Sequence, residues 1–152
     1  MNFSPTRFAL AVMLSGIVIT PSAFAALGGT LETVQADRAQ MRATLRLASH
    51  TGYQVHELVL ASGTAVREYA TAAGQVFGVA WQGPVKPDLS QLLGASFPRL
   101  VAAGQLPHAG HRLLTLQAPD LVIESSGGMR NFSGMAYLPA LLPATVAPGD
   151  IR

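Results

Sequence analysis

Cysteine is absent from the 152 residues, which rules out disulfides, a thiol nucleophile and lipid attachment through a cysteine. Charge is scarce too. Asp, Glu, Lys and Arg make up 12% of the chain, ten basic against eight acidic, for a net charge of +2. The pI near 9.5 comes from scattered arginines and Lys86 rather than from a basic run, so neither nucleic acid nor an anionic membrane surface is expected as a partner. No long apolar run follows residue 25, and no membrane span is expected beyond that point. The sequence also lacks a G-x-S-x-G elbow and an S-x-x-K pair, two common carriers of a serine nucleophile.

One apolar run is present, and it is N-terminal. In MNFSPTRFALAVMLSGIVITPSAFA, Arg7 precedes the stretch Phe8 to Ile19, and Pro21 then breaks any helix. Ala23 and Ala25 occupy the small-residue positions of an A-x-A cleavage site, which predicts a signal peptide over residues 1–25 and a mature start at Ala26. Twelve apolar residues fall short of the ~20 a spanning helix needs. The expected product is periplasmic or secreted. It has a single domain over residues 26–140, large enough to bury about two thirds of its unfolded surface, and a proline-rich tail over 141–152.

Along that domain, Leu31, Val34, Met41 and Leu45 are spaced for a helix running to Leu45. YQVHELVLASG and TAVREYAT read as strands joined at Ser62-Gly63. Ala72-Ala73-Gly74 then turns the chain into QVFGVAWQG, completing a three-stranded meander. Pro84 and Pro87 end strand pairing, and Asp88 is spaced to cap a helix with Gln91 reaching back over it. That helix must bend or stop between Gly94 and Pro98. LVIESS, a Gly127-Gly128 turn and MRNFSGMAYLP form a second hairpin. The class expected is α+β: an antiparallel β-meander plus a C-terminal β-hairpin, with one or two helices packed on one face.

HEL, REY, VFGVAW, GP, PDL, LLG and the closing G-x-A-Y-x-P, spread from about Ala26 to Pro139, resemble an uncharacterised family of exported proteobacterial proteins, a domain of unknown function. The resemblance implies an exported single-domain protein. It implies no activity, cofactor or catalytic residue.

The residues themselves offer two constellations. If Ser62 and Gly63 are the two loop residues of the first hairpin, Glu57 stands across from Glu68 with Arg67 beside it. Two facing carboxylates repel unless a proton, a metal or an arginine intervenes, so they form a candidate acid/base pair or binding site. The same register sets His56 against Tyr69 and aligns Tyr69, Phe77 and Trp81 on the other face, as a candidate aromatic platform or as core. His108 and His111 in PHAGHR lack a nearby third ligand, and His50 and His56 lack a recognised metal-site spacing, so neither a metal nor a cofactor is expected. With no residue assigned a catalytic role, the leading expectation is a non-catalytic envelope module that binds another envelope protein or a small ligand. The alternative is a small periplasmic hydrolase working through Glu57 and Glu68.

Overall fold

The structure is a computed structural model that describes residues 26–105 and 113–152. Helix α1 spans Leu31–Gln40. Four strands follow: β1 (Thr44–His50), β2 (Tyr53–Val59), β3 (Ala65–Thr71) and β4 (Val76–Gly83). Helices α2 (Leu89–Leu93) and α3 (Phe97–Gly104) come next, then β5 (Leu113–Ala118), β6 (Leu121–Gly128) and β7 (Asn131–Tyr137). The strands form one seven-stranded antiparallel sheet in the order β1-β2-β3-β4-β7-β6-β5. The α+β class is as expected, with two strands, β1 and β5, added at the sheet's edges.

Strand β1 replaces the last part of the expected helix. α1 stops because Arg42 takes a left-handed conformation, φ 50°. The Ala43 amide then bonds back to the Arg38 carbonyl and the Arg42 amide to that of Ala39. This is a Schellman stop with arginine where glycine is usual, so the sequence carries no glycine to mark it. At the second helix, Asp88 accepts hydrogen bonds from the Ser90 and Gln91 amides at 2.9 and 3.2 Å, as expected of a cap. The Gln91 side chain does not reach back; it is committed elsewhere. Asp88→Ala is expected to lower stability by about 1 kcal/mol without a change of fold, measured by urea unfolding.

The turns set the registers. Between β2 and β3 the loop has three residues, Ala61-Ser62-Gly63, with Gly63 left-handed and the Leu60 amide bonded to the Thr64 carbonyl. This shifts the expected pairing by one: Glu57 lies opposite Arg67, and Glu68 lies opposite His56. The Ala72-Ala73-Gly74 turn is as expected, closed by Thr71 and Gln75. In the last hairpin the turn falls not at Gly127-Gly128 but at Met129-Arg130, both left-handed, with Gly128 paired to Asn131.

Each face of the sheet carries a core. On the first, Leu58, Val66, Val79, Trp81 and Ile123 pack against Val34 of α1, Leu92 and Leu93 of α2, and Leu100 of α3. Ala26 and Leu27, the first residues after the expected cleavage site, are buried in this layer. On the second face, Val55, Tyr69, Phe77 and Ala80 are covered by Val146 and Ile151. The segment expected as a proline-rich tail therefore packs as a lid on the sheet.

Candidate functional site

The second face, at its β1–β3 end, holds a cleft of about 460 Å³, lined among others by Arg46, His50, Tyr53, Glu57, Arg67 and Asp150. Strand alternation places these side chains on one side: Arg46 on β1 pairs with Glu57 on β2, and Glu57 pairs with Arg67 on β3. Arg67 Nε donates to Glu57 Oε1 at 3.0 Å, whereas Arg46 Nη1 stays 3.9 Å from Glu57 Oε2. The end of the chain closes the wall. Arg67 Nη1 and the Tyr69 hydroxyl both donate to the Arg152 carbonyl at 2.9 Å, and the Arg152 amide donates to the Tyr69 oxygen at 3.1 Å. Burial above all pushes the Tyr69 hydroxyl up from its ordinary pKa, against the lowering effect of its Arg152 bond and the Arg67 charge. His50 and Tyr53 stack with ring centroids 4.7 Å apart and planes 9° from parallel. The cleft is thus built from side chains that hold one another in place.

A different constellation lies under the helices. Glu68 on β3 and Asp37 on α1 are both fully buried. Gln91 of α2 donates to Asp37 Oδ1 at 2.6 Å. Asp37 Oδ2 and both Glu68 oxygens have no hydrogen-bond partner among the described residues. Burial above all, and then the charge of neighbouring Asp37, push Glu68 up to about 8. Asp37 is raised as well, mainly by burial, with the Gln91 hydrogen bond working against the rise. At neutral pH Glu68 therefore keeps its proton. His56, opposite Glu68, is buried with neither ring nitrogen bonded among the described residues, and burial lowers its pKa, so it is neutral.

The candidate residues from the sequence thus part company. Glu57 and Arg67 meet in the cleft; Glu68 projects from the opposite face and cannot pair with Glu57. Tyr69 and Phe77 pack together on the second face, with centroids 6.2 Å apart. Phe77 reaches that side as the extra residue of a bulge between Tyr69–Gly78 and Ala70–Val76. Trp81 lies in the first-face core. The three aromatics are buried and do not form one platform. His108 and His111 lie outside the described residues. Among the described residues no group of three His, Cys, Asp or Glu is placed to hold a metal, and no helix is long and apolar enough to cross a membrane.

Asp37, Tyr53 and Arg152 are not singled out by sequence reasoning, and Gln91 is read there only as part of the Asp88 cap. One signal was available for Asp37: it stands three residues after Val34 on the buried stripe of α1, an acid where an apolar residue belongs. The others come together only through strand pairing and the returning chain end.

A family profile described as a protein of unknown function, DUF2844, matches residues 23–151. No curated protein and no solved structure matches the chain.

Proposed function

Because the chain belongs to the DUF2844 family, whose function is unknown, we propose that it is an exported, non-catalytic interaction module of a bacterial envelope, with the β1–β3 cleft as its binding site. The observation that carries this reading is the mutual bonding of Arg67, Glu57, Tyr69 and Arg152 around an open cleft. Such a wall keeps its shape without a ligand, which lowers the ordering cost of binding. It also offers aromatic and charged contacts, while its side chains are occupied in ways that leave no activated nucleophile. Export is supported by the Arg7, Phe8–Ile19 and Ala23/Ala25 pattern. The paired-carboxylate hydrolase has lost its geometry. Glu57 and Glu68 face apart, and the Asp37–Glu68 pair lines neither the β1–β3 cleft nor the neighbouring depression at Ser126 and Ser133.

A photocrosslinking residue at position 50 in exporting cells tests the proposal, with position 101 on exposed α3 as the comparison. We expect a discrete adduct from position 50 that disappears with Tyr53→Ala, carried by a chain that begins at Ala26 on N-terminal sequencing. No adduct from position 50, or the same adduct from position 101, would refute the cleft as the site. A chain retaining Met1 would refute cleavage after Ala25.

A further inference from the structure

Strand β1 is the outer strand of the sheet beside the cleft, and among the described residues nothing covers its free edge. Which backbone groups point outward follows from the pairing. The Leu60 amide bonds the Thr64 carbonyl, so the even residues of β2 bond β3 and its odd residues bond β1. Through the pairs Thr44–Val59, Arg46–Glu57, Ala48–Val55 and His50–Tyr53, the even residues of β1 face inward. Leu45, Leu47 and Ser49 are left presenting their N–H and C=O groups to the outside. Exposed edges are normally blunted by charged side chains, proline, a bulge or a covering segment. β1 contains no proline, pairs with β2 over seven residues without a register shift, and is exposed along almost its whole length.

The side chains that flank this edge differ between the faces. On the helix side stands Leu47, an apolar side chain with the residue 58% exposed. On the cleft side stands Arg46, whose side chain is 74% exposed and 3.9 Å from its one carboxylate, which Arg67 already engages at 3.0 Å. Arg38 and Arg42, just before β1, are exposed and have no acidic partner among the described residues. Asp150, the other acid of the cleft, accepts the Ala147 amide. The cleft side of the edge therefore presents the exposed Arg46 guanidinium, and the helix side bare Leu47.

We infer that β1 receives an extended segment of another protein as an eighth strand, one that alternates acidic side chains toward Arg46 with apolar side chains toward Leu47. This inference rests on the β1–β3 end being the binding site and names the partner's chemistry there. Main-chain hydrogen bonds to Leu45, Leu47 and Ser49 supply the attachment, and the two flanking side chains supply the choice of partner. Arg46 also disfavours a second copy of the chain in any register that brings the two arginines opposite each other.

The test uses the mature protein and two blocked nine-residue peptides, one alternating glutamate with valine and one alternating lysine with valine. At low salt the glutamate peptide is expected to bind and to slow amide exchange at Leu45, Leu47 and Ser49, while the lysine peptide does not bind. Arg46→Glu should weaken the glutamate peptide at least tenfold and admit the lysine peptide. Leu47→Pro removes an outward amide and leaves the β1–β2 ladder intact, so it should abolish binding in a folded protein. Equal affinity for both peptides, or binding of neither, overturns the inference. Binding without protection of the three amides also overturns strand addition but leaves the cleft as a binding site. Concentration-dependent dimerisation abolished by Leu47→Pro, with no peptide bound, would identify the occupant as a second copy instead.

Discussion

Glu68→Gln should flatten the fall in stability expected of the native protein as pH rises from about 5 to above 8. In the folded chain the Glu68 carboxyl is raised from an ordinary 4.5 to about 8, whereas the unfolded chain releases the same proton near 4.5. Between these values the native state binds more protons than the unfolded state, so stability decreases with rising pH across that window and the contribution is lost above it. A separation of that size corresponds to on the order of 3 to 5 kcal/mol between the ends of the window. Glutamine keeps the shape of the side chain and removes the titration. Urea unfolding at pH 5, 7 and 8.5 should therefore find the variant more stable than the native protein at pH 8.5 and close to it at pH 5. Parallel pH profiles for the two proteins would show that no proton is held at this position. His56 acts in the opposite sense. Its lowered pKa means that the unfolded chain takes up a proton first as pH falls below about 6.5, which erodes stability on the acid side. Comparing the variant with the native protein cancels that contribution and isolates Glu68.

The second large effect is expected at Trp81. Its indole is 2% exposed and lies across Gly134, its pairing partner on β7. A Cβ added at position 134 would come within 2.2 Å of Trp81 Cζ2 and 2.5 Å of the Glu124 carbonyl. Glycine is therefore the residue that lets the ring lie flat on the sheet. Trp81→Ala empties that space and should cost about 3 to 5 kcal/mol. Trp81→Phe should cost markedly less, because the indole N–H it removes has no hydrogen-bond partner among the described residues. Gly134→Ala should also be strongly destabilising, and combining it with Trp81→Ala should cost less than the two separately, since one of the two clashes is then gone. Thermal or urea unfolding of the four variants measures this. Additive costs would mean that the ring and the glycine do not share the space.

What the sequence by itself determined was mostly local. The Asp88 cap, the Ala72-Ala73-Gly74 turn and the core strands QVFGVAW and LVIESS are legible because the same few residues that specify them also form them. Pattern reading failed where the specifying residue is atypical. Arg42 ends α1 in a backbone conformation that usually announces itself by glycine, and Met129-Arg130 does the same in the last hairpin, next to a Gly-Gly pair that points two residues too early. Edge strands β1 and β5 lack a buried partner on one side, so their apolar patterns are weaker than those of the central strands.

The candidate site was decided by tertiary structure, and one loop residue accounts for much of the difference. With three residues rather than two in the Ala61-Ser62-Gly63 loop, Glu57 meets Arg67 instead of Glu68, because side chains alternate faces and a one-residue shift exchanges every partner. Glu68 then turns inward to Asp37, thirty-one positions away on a helix, and the cleft acquires its wall from Arg152, eighty-five positions beyond Arg67. Separations of that length leave no periodicity in the chain. They come about only when the sheet closes and the hydrophobic faces have chosen which side each strand presents.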